Sequence, residues 1–188
     1  DYLLCINTNG TEILTPLVIY SNLSPTDYTF IWSNASGDVL ETGPNFEPTQ
    51  GGVYTLEVFD TQLPTQCGSP PEIFTVLESS PPEATAEVTS QPFASTHIIQ
   101  SIATGQGVYE FSLDEGPWVD SGLFVGVAPG EHIVGVRDVN GCGIQEIPVV
   151  VFGYPKFFTP NQDGYNDLWN INSFSSQSNA KIYIFDRY

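Results

Sequence analysis

Gly52-Val-Tyr-Thr-Leu-Glu-Val-Phe-Asp60 and Gly130-Glu-His-Ile-Val-Gly-Val-Arg-Asp138 are two versions of one pattern, and they decide the fold. In each, a glycine allows a tight turn, apolar and polar residues then alternate, and an aspartate closes the run. Alternation at period two puts every second side chain on the same face, as a half-buried β-strand requires. The flanking landmarks recur in the same order. Tyr28-Thr-Phe30 precedes the first copy; Cys67-Gly, Glu72-Ile-Phe-Thr-Val76 and Pro81-Pro82 follow it. Tyr109-Glu-Phe111 precedes the second copy; Cys142-Gly, Glu146-Ile-Pro-Val-Val150 and Pro155 follow it. Length differences fall between the strands, where loops absorb them. A repeat of this kind predicts two homologous modules.

Working outward, Tyr28-Thr-Phe-Ile-Trp32 and Tyr109-Glu-Phe-Ser-Leu113 also alternate, and Gly, Pro, Asn and Asp interrupt the strands at short intervals. No window carries an apolar stripe at helical spacing. The expected fold is all-β: tandem immunoglobulin-like or PKD-like β-sandwiches over residues 1–80 and 81–153, divided at Ser79-Ser-Pro-Pro82, with a third element over 154–188. Trp32 stands where such sandwiches place a central aromatic. Tyr54 is placed to bury its ring and bond a backbone group at the strand corner. His132 takes the place of Tyr54 in the second copy, which favours a packing role for it.

The chain has 188 residues and a formal net charge of −18, with only four Lys and Arg against 22 Asp and Glu. A surface this acidic gains nothing from counterion release, which argues against a nucleic-acid partner. Anionic lipid headgroups are disfavoured for the same reason. Apolar content of 40%, with twelve Phe, nine Tyr and three Trp, suffices for packed cores and argues against disorder. No apolar run approaches the roughly 18 residues of a membrane-spanning helix. The absence of Met suggests that the chain is excised from something longer.

Three cysteines occur. A bridge from Cys5 to Cys67 would close the first module and contribute about 4 kcal/mol in the chain-entropy account. It would also suit an oxidising compartment. Cys142 then remains as the odd one out, an expected leftover of an ancestral bridge. No zinc-like spacing and no Gly-x-Ser-x-Gly elbow is present. The acids Asp114-Glu115 and Asp60/Asp138 are the nearest thing to a glycosidase pair, but adjacent acids in a turn such as Asp114-Glu-Gly-Pro117 more often simply face water. The sequence therefore predicts no catalytic site. Sequons at Asn9, Asn22 and Asn34 bear only on a eukaryotic secretory route.

Asn161-Gln-Asp-Gly-Tyr-Asn-Asp167 clusters oxygen ligands around a glycine, so Asp163, Asn166 and Asp167 form a weak calcium candidate. An EF-hand register with Gly164 at its sixth position places Thr159 first and Asn170 twelfth, removing two required carboxylates. The alternative is an Asx-turn that bonds its own backbone. No other cofactor is indicated.

The same segment carries a resemblance. Tyr154-Pro-Lys-Phe-Phe-Thr-Pro-Asn-Gln-Asp-Gly-Tyr-Asn-Asp-Leu-Trp169, followed by Ile182-Tyr-Ile-Phe-Asp-Arg-Tyr188, resembles the gliding-motility-associated C-terminal domain. This is the type B sorting domain of the Bacteroidota type IX secretion system. Gln162 departs from the Gly usual there. The resemblance implies that residues 154–188 are the first strands of a β-sandwich sorting domain, truncated before its remaining strands. The residues it singles out are Tyr154, Pro155, Phe157, Phe158, Pro160, Asn161, Asp163, Gly164, Asn166, Asp167, Trp169, Phe185, Asp186 and Arg187. The second module, through Tyr109-Glu-Phe-Ser-Leu-Asp-Glu-Gly-Pro-Trp118 and Val136-Arg-Asp-Val-Asn-Gly-Cys142, is similar to repeats of SprB-type gliding adhesins.

These resemblances imply a non-catalytic stalk and export region of a large surface adhesin. Its expected location is the cell surface, associated with the outer membrane. Its implied partners are the type IX translocon and an outer-membrane β-barrel of the PorP/SprF family. The alternative is an accessory region of a secreted enzyme, with Tyr109, Trp118 and Phe124 as an aromatic platform for surface polysaccharide.

Overall fold

A computed structural model describes residues 1–62, 68–91, 94–153, 157–165, 167–169 and 183. The described regular structure is all β. The strands are β1 (Tyr2–Cys5), β2 (Ile19–Tyr20), β3 (Tyr28–Asn34), β4 (Val39–Glu41), β5 (Asn45–Phe46), β6 (Gly52–Asp60), β7 (Glu72–Ser79), β8 (Glu83–Val88), β9 (His97–Thr104), β10 (Tyr109–Leu113), β11 (Leu123–Val127), β12 (Gly130–Asp138) and β13 (Ile144–Val151). The Gly52–Asp60 and Gly130–Asp138 patterns are β6 and β12, and tandem immunoglobulin-like sandwiches are the architecture that these strands build.

The chain forms two compact units. The first is Asp1–Glu83 together with Thr104–Tyr109 and Arg137–Ile144. Its main sheet has the order β1-β7-β6-β3-β4, and a small sheet pairs β2 with β5. In the β3–β6 ladder Phe30 opposes Val58, Trp32 opposes Leu56 and Asn34 opposes Tyr54. Phe30, Trp32, Tyr54 and Leu56 are all buried, as the period-two pattern demands. They share one core with Ile19 and Phe46 of the small sheet. Trp32 is fully buried and stacks on Phe46 with ring centroids 5.4 Å apart. Its indole N–H donates to the Gly43 carbonyl at 3.0 Å, so the polar end of the ring is satisfied. β1 runs parallel to β7, with Cys5 opposite Ser79, whereas β3, β4, β6 and β7 pair antiparallel.

The second unit is Ala84–Ala103, Glu110–Val136 and Gln145–Tyr188. It holds sheets of order β10-β12-β13 and β11-β9-β8. Ile99, Val134, Val136 and Val151 are fully buried and supply its apolar interior. Residues 119–122 tie β10 to β9: the Val119 and Phe111 amides and carbonyls exchange bonds at 2.8 Å, and the Ser101 amide donates to Gly122 at 2.8 Å.

Ser79 and Ser80, where the sequence reading divides the modules, are fully buried in the first unit. The Ser79 hydroxyl donates to the Asp138 carboxylate at 2.8 Å. The Ser80 hydroxyl lies 2.9 Å from that of Tyr109 and accepts the Gln106 amide at 2.8 Å. The two serines are thus a buried seat on which two later turns of the chain rest.

Candidate functional site

Three places bear on function: the crosslink, the two strand corners and the acidic loop near the C-terminus.

The crosslink joins Cys5 to Cys142, with their Cα atoms 5.4 Å apart. That spacing is ordinary for a disulfide. The expected Cys5–Cys67 bridge is overturned, as is the reading of Cys142 as a leftover half; Cys67 itself lies outside the described residues. The cause is the fold of residues 137–144. Asp138 is buried, accepts the Ser79 hydroxyl with one carboxylate oxygen, and accepts the Cys142 amide with the other at 2.9 Å. Its own amide donates to the Gly143 carbonyl at 2.9 Å, closing the turn that presents Cys142. On the other side, Cys5 ends β1, its carbonyl accepts the Leu14 amide at 2.8 Å, and the next amide, of Ile6, donates to Ser79 at 2.9 Å. Sequence reasoning missed Ser79 and Asp138 as the seat of this bridge. The available signal was the alignment of Asp138 with Asp60, which marks an aspartate that organises the turn before each later cysteine.

The corners stand at matching places, the third residue of β6 and of β12, and are chemically different. In the first unit the Tyr54 hydroxyl donates to the Gln50 carbonyl, four residues back, at 2.7 Å. Burial, then the nearby Glu78 charge, raises the pKa of that phenol. In the second unit His132 Nε2 meets the Ala128 carbonyl, also four residues back, at 2.8 Å. His132 Nδ1 lies 2.6 Å from Asp114. Burial pulls the His132 pKa down, but the bonds to Asp114 and Ala128 and the Asp114 charge outweigh it, and the net shift is upward. Burial likewise pushes Asp114 up, and its bonds to His132 and to the Ile133 amide reverse that to a net lowering. Asp114 and Glu115 both have positive φ, 51° and 58°, in a tight turn closed by the Gly116 amide on Leu113. Both imidazole nitrogens of His132 are therefore committed to acceptors. No ring nitrogen is left to take a proton from a substrate, so the pair fastens a corner and does not form a catalytic dyad.

The other candidate acids are also engaged in structure. Asp60 accepts the Gln62 amide at 2.7 Å, and Asp138 serves the crosslink. Asn34 accepts the Ser36 and Asp38 amides at 2.9 Å each, which makes it a turn builder. The proposed aromatic platform is half-buried at Tyr109, Trp118 and Phe124. Tyr109 holds the Gly107 amide at 3.0 Å through its hydroxyl, and the Trp118 ring lies over Gly135, where an added Cβ would come within 3.2 Å of it.

The acidic loop builds itself from its own side chains. Asp167 accepts the Gln162 amide at 2.6 Å with one oxygen and the Gly164 amide at 2.8 Å with the other. Asp163 accepts the Tyr165 amide and the Asn161 side-chain amide, each at 2.8 Å. Those two bonds, the Tyr165 amide first, lower the Asp163 pKa. All four carboxylate oxygens thus receive N–H donors from the loop, which is the self-bonding turn that the sequence offered beside calcium. Among the described residues no group of three or more His, Cys, Asp or Glu is placed to hold a metal. Gln162 has φ 63°, the left-handed conformation in which a side chain costs about 1–2 kcal/mol. This accounts for the glycine that the resembling family carries there. Phe157, Phe158, Tyr165 and Leu168 are exposed around the loop. Tyr154, Pro155, Asn166, Phe185, Asp186 and Arg187 lie outside the described residues.

The CHU_C type IX secretion signal domain matches residues 152–188. A type IX secretion signal is present at the C-terminal end of this chain. It is a non-catalytic sorting element that marks its protein for the export machinery and the cell surface.

No curated protein sequence matches the chain. Among solved structures it is similar to the amphioxus IgVJ-C2 molecule, at 11% identity and a TM-score of 0.43 over 79% of this chain and 99% of that one. It is similar to the insect immune protein hemolin at 15% identity and a TM-score of 0.38, over 80% of this chain and 44% of that one. The C-terminal 282-residue fragment of intimin, in complex with the translocated intimin receptor intimin-binding domain, gives 13% identity and a TM-score of 0.37, over 79% and 61%. No functional weight rests on likenesses this distant.

Proposed function

We propose that this chain is the C-terminal stalk and export region of a large cell-surface adhesin of gliding motility. The observation that carries the reading is the order of parts: two copies of a β-sandwich module run directly into a type IX secretion signal at 152–188. In this reading the signal is recognised by the type IX translocon, and a PorP/SprF-family β-barrel then holds the protein at the outer membrane. The modules space the adhesive part away from that anchor. The net charge of −18 supports the role, since it keeps a repeated surface module soluble and self-repelling. A disulfide supports it too, because such bonds persist outside the cytosol.

The recognition surface in this proposal is the loop formed by Asp163, Gly164 and Asp167 with the exposed Phe157 and Phe158. A reporter fused to the complete terminal domain tests it. The expected result is surface display for the native loop and loss of display after Asp163→Ala and Asp167→Ala, with the reporter retained in the periplasm. Equal display of both forms would remove the loop from recognition.

A further inference from the structure

We infer that the Cys5–Cys142 bridge is a force bypass: tension entering N-terminal to Cys5 and leaving towards the signal at 152–188 crosses one disulfide, and the residues between the cysteines stay out of the load path. The mechanical property belongs to the chain itself; its use in the organism rests on the surface-stalk reading above.

The argument is one of connectivity. The bonded cysteines are 137 positions apart, so the covalent loop encloses β2 to β12: all of the first repeat pattern with its landmarks, and the second as far as the turn after β12. Of the described strands, only β1 before Cys5 and β13 after Cys142 lie outside it. Without the bridge, those 137 residues would pay out about 450–490 Å of extended chain, less their folded span. With it, the chain can lengthen only through β1 and through the segment from Cys142 onward. β13 is the edge strand of its sheet and has eight residues, so peeling it gives about 30 Å.

Both ends of the bridge are seated to take load. Cys5 is held by β1–β7 pairing and by the Leu14 and Ile6 bonds, and Cys142 by the Asp138 carboxylate, which the buried Ser79 holds in turn. Ser79 therefore supports the two sides at once: it pairs with Cys5 across the β1–β7 ladder and donates to the aspartate that fixes Cys142. A Cys5–Cys67 bridge would have left the second copy in the load path.

Single-molecule stretching of the full chain, with handles at its two ends, tests the inference. The oxidised protein should lengthen by no more than the four residues before Cys5 and the 46 after Cys142 can supply, about 165–180 Å fully extended, with no further extension. Cys142→Ser should add extensions totalling about 450 Å, and so should dithiothreitol, which reduces the bridge to two thiols as it becomes a cyclic disulfide itself. Cys67→Ser should leave the short extension unchanged. A long extension in the oxidised native chain, or its appearance in Cys67→Ser, would overturn the bypass. Because the readout is length in the oxidised native protein, it does not depend on how well a variant folds. It is also independent of reporter display, so failure here leaves the export reading standing, and failure there leaves this one.

Discussion

The β6 and β12 strands come from one pattern and have been put to different uses. β6 begins with a tyrosine corner, Tyr54 on Gln50, and ends at Asp60, half-buried and capping a local turn at Gln62. β12 begins with a histidine corner, His132 on Ala128 and Asp114, and ends at Asp138, buried and organising the turn that delivers Cys142 to Cys5. Geometry is kept at both ends of the strand while the chemistry changes: a neutral hydroxyl becomes a titratable ring, and a surface cap becomes the seat of a crosslink. The repeat therefore locates equivalent residues without fixing what they do.

The largest difference to break is the crosslink. Cys5→Ser or Cys142→Ser should lower stability by up to about 5 kcal/mol, the loop-entropy limit for this separation, measured by denaturant unfolding. Cys67→Ser should leave the midpoint close to native. Next come the two aspartates. Asp138→Ala strands a buried hydroxyl and a backbone amide and should cost about 2–3 kcal/mol, whereas Asp60→Ala removes one half-exposed cap and should cost about 1 kcal/mol or less. Equal costs would mean that Asp138 carries no special burden.

How much of this was legible in the sequence depends on how local the physics is. The strands were: Tyr28 to Trp32 alternate because one face meets a core, and in β3 the buried residues are Phe30 and Trp32. The acidic loop was also legible, because Asp and Asn bond amides two to five positions away whatever the surroundings. The crosslink was not. Treating each copy as self-contained paired Cys5 with Cys67, since spacing carries no information on which turn returns to which unit. That information lies in Ser79 and Asp138, which are 59 residues apart and meet only in the folded chain. Ser79-Ser-Pro-Pro82 marked the division between the modules, and the opening run of the first unit ends beside it at Glu83, but its composition carried no sign that Ser79 and Ser80 are buried.

The corners give the smaller effects. Tyr54→Phe removes one hydrogen bond and should cost about 1 kcal/mol, with no pH dependence near neutrality because the phenol titrates above 10. The His132 corner should depend on pH. Its folded pKa lies above 6.5, so its contribution is complete below about pH 6.5 and fades as pH rises through the folded value. The Asp114 pKa lies below 3.8, so its share holds above that value and fades as pH falls through the folded one. The difference in melting temperature between the native chain and His132→Gln should therefore shrink from pH 6 to pH 9. The difference between the native chain and Tyr54→Phe should stay flat. A flat His132 profile would mean that the Asp114 contact does not hold the ring protonated.

The crosslink remains the claim on which most else depends, and peptide mapping tests it directly. Digestion of the unreduced protein with a protease that cuts at Asp or Glu, followed by mass spectrometry, should yield one linked pair, the Cys5 peptide with the Cys142 peptide, and Cys67 as a free thiol peptide. A Cys5 peptide linked to the Cys67 peptide would contradict the account.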